Sequence, residues 1–176
     1  MALRPVYEDD LPVLERFLTD PEVATPFQWF GWKDPSLFRR RWQEDGLLGE
    51  DGGQLMVASG AQAHGFVAWR KQFSSRTSQY WVVGIQLLPE SRGRGIGTRA
   101  QELLVRHLFA HTQVQRIQAD TDVDNVAEQR ALEKAGFTRE GTLRDFVFRD
   151  GRWRDCVLYS ILRGELAEDP AEGASA

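Results

Sequence analysis

The stretch ESRGRGIGTRA, residues 90 to 100, alternates Gly93, Gly95 and Gly97 with Arg92, Arg94 and Ile96, between an apolar run and an amphipathic one. A strand, a glycine-rich turn and a helix in that order present backbone N–H groups at a helix N-terminus, where unsatisfied donors and the helix dipole favour an anion. Glycine lets the main chain approach closely; a side chain at Gly95 or Gly97 would stand between those amides and a phosphate, while Arg92 and Arg94 add charge from the flanks. The chemistry that fits is capture of a diphosphate. A P-loop is excluded, since its Gly-Lys-Ser/Thr ending is missing. The dinucleotide fingerprint fits GIGTRA as G-x-G-x-x-A, with Asp120 near the expected ribose acid. However, PESRGR separates the glycines from the strand, and the chain then runs into a hairpin rather than further βαβ units.

Two other groups of residues could do chemistry. Asp120, Asp122 and Asp124 stand at the mouth of the strand that follows, and Asp120 or Asp122, directly or through water, could take a proton from an amine. The loop PEVATPFQWFGWK holds Glu22, Phe27, Trp29, Phe30 and Trp32. Loops on a rigid scaffold often carry specificity, so Glu22, Trp29, Phe30 and Trp32 are candidates for an acceptor pocket, against the alternative that two or three of the rings are core residues. His107 and His111 lie four apart at helical spacing, but no third ligand is evident and no metal is expected.

These residues need elements to position them. A strand is expected over Leu3 to Val6, then a helix capped by Asp9 or Asp10 with Pro12 in its first turn, ended by Pro21. A second helix should run from Asp34 to Gly46. Apolar, β-branched runs at 54–59, 65–73 and 80–88 read as an antiparallel meander. TRAQELLVRHLFAH has helical spacing, RIQADT is a strand, and NVAEQRALEKAG is a helix with Asn125 as N-cap and Gly136 at its C-terminal end. Strands at 143–148 and 153–161 are joined at Asp150-Gly151, a pair suited to a type I′ turn. The order β-α-α-β-β-β-α-β-α-β-β describes an α/β chain of the α+β type.

The 176 residues suit a single domain over 1–164, with 165–176, small and acidic, expected to be a disordered tail. A net charge of −4 argues against general nucleic-acid binding, while Arg92, Arg94, Arg99 and Arg106 leave room for a small anion. The only cysteine, Cys156, cannot form an internal disulfide, the N-terminus turns acidic before an apolar core could develop, and no run would span a bilayer. The chain therefore reads as cytoplasmic, without membrane or nucleic-acid partners, and exposed edge strands make a homodimer reasonable.

On these motifs the chain resembles the GNAT superfamily of acyl-CoA N-acyltransferases. Arg92, Gly95 and Gly97 fit the pyrophosphate pattern Arg/Gln-x-x-Gly-x-Gly/Ala; NVAEQRALEKAGF resembles the next motif, in which an Asn opens a helix ending in Glu-Lys-x-Gly-Phe. EGTLRDFVFRDGRWRDCVLYSIL is similar to the closing hairpin of the RimJ/RimL-type branch. The resemblance spans residues 3 to 163 and implies a mixed, mostly antiparallel twisted sheet of about seven strands flanked by four helices. It also implies acetyl-CoA as acyl donor and an amine acceptor, either a protein N-terminus or a small molecule. Ile85 and Leu87 would then offer backbone groups to the pantetheine and thioester where their strand parts from the next; Gly93, Arg94, Gly95, Ile96, Gly97 and Thr98 would wrap the pyrophosphate with help from Arg92; Asn125 would bond the pantetheine or serve only as a cap. The chain departs from the family where a Tyr usually donates a proton, here Leu132, and where the branch often has Ser, here Glu128. No general acid is carried over, and a non-catalytic acyl-CoA-binding regulator stands as the rival reading, with a nucleotide-linked oxidoreductase behind it. Tyr159 is assigned a structural role.

Overall fold

The computed structural model describes residues 1–24 and 26–166. Eight strands form one sheet: β1 (Ala2–Arg4), β2 (Leu48–Gly49), β3 (Gly52–Ser59), β4 (Gln62–Ser75), β5 (Ser78–Leu87), β6 (Arg116–Asp122), β7 (Thr138–Arg149) and β8 (Arg152–Leu162). Their spatial order is β1-β3-β4-β5-β6-β8-β7, with β2 paired to β3. The helices are α1 (Leu11–Thr19), α2 (Pro21–Ala24), α3 (Leu37–Asp45), α4 (Ile96–His111) and α5 (Val126–Lys134). Among the described residues the expected seven strands and four helices are present, with a two-residue strand, the short α2 and three 3-10 turns in addition.

The sheet separates two apolar layers, as period-2 alternation requires. Val83, Ile85, Ile117, Ala119, Val157 and Tyr159 pack with Leu104, Leu108 and Leu132 of α4 and α5 on one face. Met56, Phe66 and Leu88 pack with Leu11, Leu14, Phe17 and Phe38 of α1 and α3 on the other. The residues between them in sequence, such as Gly84, Asp120 and Asp122, therefore look away from α4. Each large side chain fully removed from water contributes about 1.5–3 kcal/mol, and Leu104 and Leu108 are both only 1% exposed.

The 3–4–5 meander is antiparallel throughout, as expected. β6 then joins β5 in parallel, yet that ladder contains only Trp81↔Ile117 and Val82↔Gln118. Beyond these pairs the two strands part, leaving a fork between Val83–Leu87 and Ala119–Asp122. β4 approaches β5 so closely at Gly65, φ 145°, that a Cβ there would lie 2.0 Å from the Gln86 carbonyl oxygen.

Some boundaries differ from the sequence reading. β1 ends at Arg4 because the Asp10 carboxylate draws that guanidinium in, at 2.6 and 2.8 Å, and also accepts from the Tyr7 N–H. Asp10 is thus an ion-pair partner, without a side-chain capping bond to α1. Pro21 opens α2 rather than a loop. α3 starts at Leu37, since Asp34 uses its carboxylate on the Ser36 N–H and hydroxyl just ahead of it. β7 is twice the expected length, while Asp150 and Gly151 both have positive φ, 51° and 75°, as a type I′ turn needs. The Glu165 carboxylate accepts from the Leu162 N–H, and Leu166 packs against the α4 side of the core. The rest of the expected tail, 167–176, lies outside the described residues.

Candidate active site

The glycine loop follows β5 after a short turn at 89–91. Leu88 donates to the His64 carbonyl, and the buried His64 ring bridges Ser91 at 3.0 Å and Ser59 at 2.9 Å, fixing the turn 89–91 beneath it. Gly93 and Gly95 take φ of 70° and 77°, and Gly95 is the N-cap of α4. A Cβ at either would meet nothing within 4 Å, and at Gly97 only Leu87 at 3.6 Å. The loop before α4 is therefore uncrowded at Gly93 and Gly95, which leaves room beside the helix N-terminus for a phosphate-sized anion. Arg94 is exposed, whereas Ile96, Gly97 and Thr98 are half-buried.

Arg92 makes structural contacts of its own. Its Nε donates to the Leu87 carbonyl at 2.9 Å and its guanidinium also reaches the Val23 carbonyl, so it staples the end of β5 to α2. In this structure the Arg92 guanidinium serves backbone carbonyls, while the exposed Arg94 lies only 3.5 Å from the Glu90 carbonyl oxygen.

On the opposite side of the fork, a cleft of about 820 Å³ is lined by Phe27 to Gly31, Gly84 to Gln86, Asp120 to Asp122, Asn125, Arg149 and Cys156, among others. Ile85, Asn125, Asp120, Asp122, Trp29 and Phe30 of the predicted site are thus brought together. Trp32 and Glu22 are not. Trp32 is 79% exposed and packs edge-on against Trp29 at 5.7 Å, and Glu22 is exposed in the first turn of α2. None of the four loop aromatics is a core residue: Phe27 and Trp29 are half-buried, and Phe30 is 51% exposed.

The two candidate bases, two residues apart on one face of β6, have opposite surroundings. Asp120 is half-buried with no hydrogen-bond partner among the described residues; burial raises its pKa, with Arg70 opposing. A carboxylate in that state is poised to accept a proton. Asp122 lies with Arg149 in a buried ion pair, their side chains 3% and 4% exposed. Burial alone would push the Asp122 carboxyl up, but the Asp124 N–H at 2.9 Å and the Arg149 and Arg154 guanidinium groups hold it below the ordinary range. Asp122 is therefore held in a structural ion pair, whereas Asp120 is not.

Asn125 caps α5, accepting from the Glu128 N–H while its own amide donates to Thr121. It also lines the cleft, so capping and ligand contact coexist. The carbonyls of Ile85 and Leu87 accept from Gln28 and Arg92. Burial pushes the Cys156 thiol up to about 11, with Asp120 and Asp122 adding to the shift, which leaves it protonated and a poor nucleophile at neutral pH. Tyr159 is fully buried and donates to Glu133 at 3.0 Å, a packing and tethering role. The His107 and His111 rings lie 4.8 Å apart; among the described residues no group of three or more metal-ligating side chains forms.

Sequence reasoning missed several residues. Arg149 donates to the Phe27 carbonyl at 3.0 Å and lies over that ring, tying the aromatic loop to β7 across 122 positions, for which no local signal exists. Gln28 reaches from the loop to Ile85 and Gln86 of β5. Gly84 had a signal, a glycine inside an apolar strand run. It sits at the fork, where a Cβ would meet nothing within 4 Å.

A family model described as "Acetyltransferase (GNAT) domain" matches residues 1–138. The chain is 38% identical over 80 residues to "Probable N-acetyltransferase YjcK" of Bacillus subtilis (strain 168), a match covering 46% of this chain and 44% of that relative. The match thus spans less than half the length of that curated relative. Its fold is similar to spermidine N-acetyltransferase from Vibrio cholerae in complex with CoA and spermine, with a TM-score of 0.80 at 17% identity over 94% of this chain and 96% of that one. It is also similar to RimL, a ribosomal-protein alpha-N-acetyltransferase in complex with coenzyme A, with a TM-score of 0.74 at 20% identity over 91% and 92%. No described helix is long and apolar enough to cross a membrane.

Proposed function

Because the chain belongs to the GNAT acetyltransferase family, we propose that it transfers an acetyl group from acetyl-CoA to a primary amine by direct attack in a ternary complex. The observation that carries this reading is the fork. β5 and β6 part after Val82 and Gln118, with the glycine loop at the far end of β5 and the aspartate-bearing cleft against its middle. An acyl donor held by the α4 amides would run its pantetheine along the free edge of β5 and bring its thioester to the cleft. Oriented backbone N–H groups of β5 would polarise the thioester carbonyl. Asp120 would take the proton of the attacking amine, directly or through water. Holding the two reactants together supplies much of the remaining rate gain.

The acyl group passes directly to the acceptor, because the one thiol in the cleft, Cys156, stays protonated. Trp29 and Phe30 would wall the acceptor, which is a peptide N-terminus or a small amine; the ribosomal and spermidine enzymes of similar fold support that range. Calorimetry with acetyl-CoA and NAD, followed by thiol release across an amine and peptide panel, tests the proposal. Acetyl-CoA binding with amine-dependent thiol release is expected. Binding of NAD in its place would overturn it. Binding of acetyl-CoA without thiol release would favour a regulatory acyl-CoA-binding domain, a reading motivated by the apolar Leu132 on α5.

A further inference from the structure

Two aspartate–arginine combinations line the cleft, and they are arranged differently. Asp122 and Arg149 close on each other in a buried ion pair. Asp120 and Arg70 stay apart: no hydrogen bond or ion pair joins Arg70 to any described residue, although its charge opposes, from a distance, the burial that raises the Asp120 pKa. The strand register accounts for the gap. Arg70 of β4 pairs with Val82 of β5, and Val82 with Gln118 of β6, so Asp120 lies two strands across and two residues along. Two inter-strand spacings come to about 10 Å, before the fork adds to them. The ground between is open, since Gly84 carries no side chain and a Cβ there would meet nothing within 4 Å.

No other charge at the cleft takes up Arg70. Asp51 is paired with Lys71 at 2.7 Å, Asp45 accepts the Leu47 N–H at 2.8 Å, and Glu50 is exposed without a described partner. Two more cations stand on the same lining: Lys33, over the Phe30 ring at 5.9 Å, and the exposed Arg41. A guanidinium presents its N–H donors in a planar fork that matches a carboxylate with two parallel hydrogen bonds. At Arg70 that fork is unspent, and it shares a cleft with the carboxylate proposed to receive the proton of the amine.

We infer that the acceptor is a primary amine carrying a carboxylate of its own, its nitrogen set at Asp120 and its carboxylate held by Arg70, an inference that rests on the acetyl-transfer reading above. A free amino acid and a peptide with an acidic first residue share this chemistry. Opposite charges fixed on two sides of an open floor are complementary to a molecule with an ammonium at one end and an anion at the other. A purely cationic acceptor meets the reverse situation, because its second ammonium would face Arg70, Arg41 and Lys33, and like charges disfavour that arrangement.

A paired panel tests this, read as kcat/KM for thiol release: short α- and ω-amino acids, each beside its carboxamide, which keeps the amine and removes the anion, and beside the diamine of matching length. At least one acid should exceed its amide and its diamine by about 10- to 100-fold, chiefly through a lower KM. Arg70→Met breaks no described hydrogen bond or ion pair. It should collapse that ratio to within about threefold while acetyl-CoA affinity stays within about twofold by calorimetry, and Arg70→Lys should restore part of the ratio. Amides or diamines used as well as the acids by the parent overturn the inference, and so does a ratio that survives Arg70→Met. Peptides beginning with Asp or Glu, beside those beginning with Asn or Gln, locate the anion: a preference among the peptides places it on a terminal residue, and one seen only among free amino acids places it on a small molecule. Failure of the parent to bind acetyl-CoA is a different result, which sinks the acetyl-transfer reading and this inference with it.

Discussion

The two sides of the fork are built by different means. The side proposed for the donor is backbone: a continuous run from Gly84 to Thr98, shaped by positive φ at Gly93 and Gly95 and seated on the His64–Ser91 contact. The side proposed for the acceptor is a side-chain assembly, in which Arg149 of β7 joins Asp122 of β6 to the Phe27 carbonyl of the aromatic loop. A backbone site tolerates most substitutions except at its glycines. A side-chain assembly fails when one charge is removed, because the partner is then left buried and unpaired.

Replacements on the two sides should separate these behaviours. The largest effect is expected at the acceptor side's reactive group: Asp120→Asn should lower kcat by roughly 10²–10⁴-fold while leaving acetyl-CoA affinity unchanged, read by steady-state kinetics beside calorimetry. An equally active variant would move the base elsewhere and blur the contrast. Arg149→Leu comes next. It strands the Asp122 carboxylate and should cost about 3–5 kcal/mol in denaturant unfolding, with KM for the acceptor raised as Phe27 loses its tether. Pairing it with Asp122→Leu should recover part of that stability, since neither charge then remains buried alone. No recovery would mean that the pair is held by packing rather than charge.

The donor side should respond in affinity alone. Gly97→Leu, at a helical position where a Cβ makes only ordinary contact with Leu87, should weaken acetyl-CoA by at least about tenfold, or about 1.4 kcal/mol, with little change in unfolding midpoint. Gly95 is a poorer probe, because its φ of 77° adds backbone strain to any obstruction. Unchanged affinity in Gly97→Leu would remove the loop from the donor site.

The smallest and sharpest contrast lies within β6. The Asp120 pKa is raised, so its protonation stabilises the fold below the ordinary carboxylate value, a contribution lost as pH rises through its folded pKa. Asp122 is lowered and does the reverse: its stabilisation is present above the ordinary value and is lost as pH falls through its folded pKa. Carboxyl NMR titration should place the two midpoints on opposite sides of 3.8. Unfolding free energies across acidic pH in Asp120→Asn and Asp122→Asn should show slopes altered in opposite directions.

Features set within a few residues were legible before folding. The glycine loop, the Asn125 cap and the Asp150-Gly151 turn each depend on local dihedrals or on a hydrogen bond three residues long, and all stand where the spacing puts them. Strand length was read less well, because β7 is exposed along most of its course and lacks the apolar alternation that marks a strand. The contacts of Arg92 and Asp122 were not legible for another reason. A charged residue beside a candidate site has the same local sequence whether it faces a ligand, as Asp120 faces the cleft, or a buried partner, and only the approach of α2 and β7 decides which.

By itself, the sequence determined the fold class and the glycine turn that opens α4, since both follow from periodicity, glycine conformations and helix termini that act over a single turn. Only the tertiary structure decided that Asp122 is tied to Arg149 while Asp120 has no hydrogen-bond partner among the described residues, and which aromatics line the cleft. Those properties depend on solvent exclusion and on partners brought together from distant segments, and no short-range pattern encodes either.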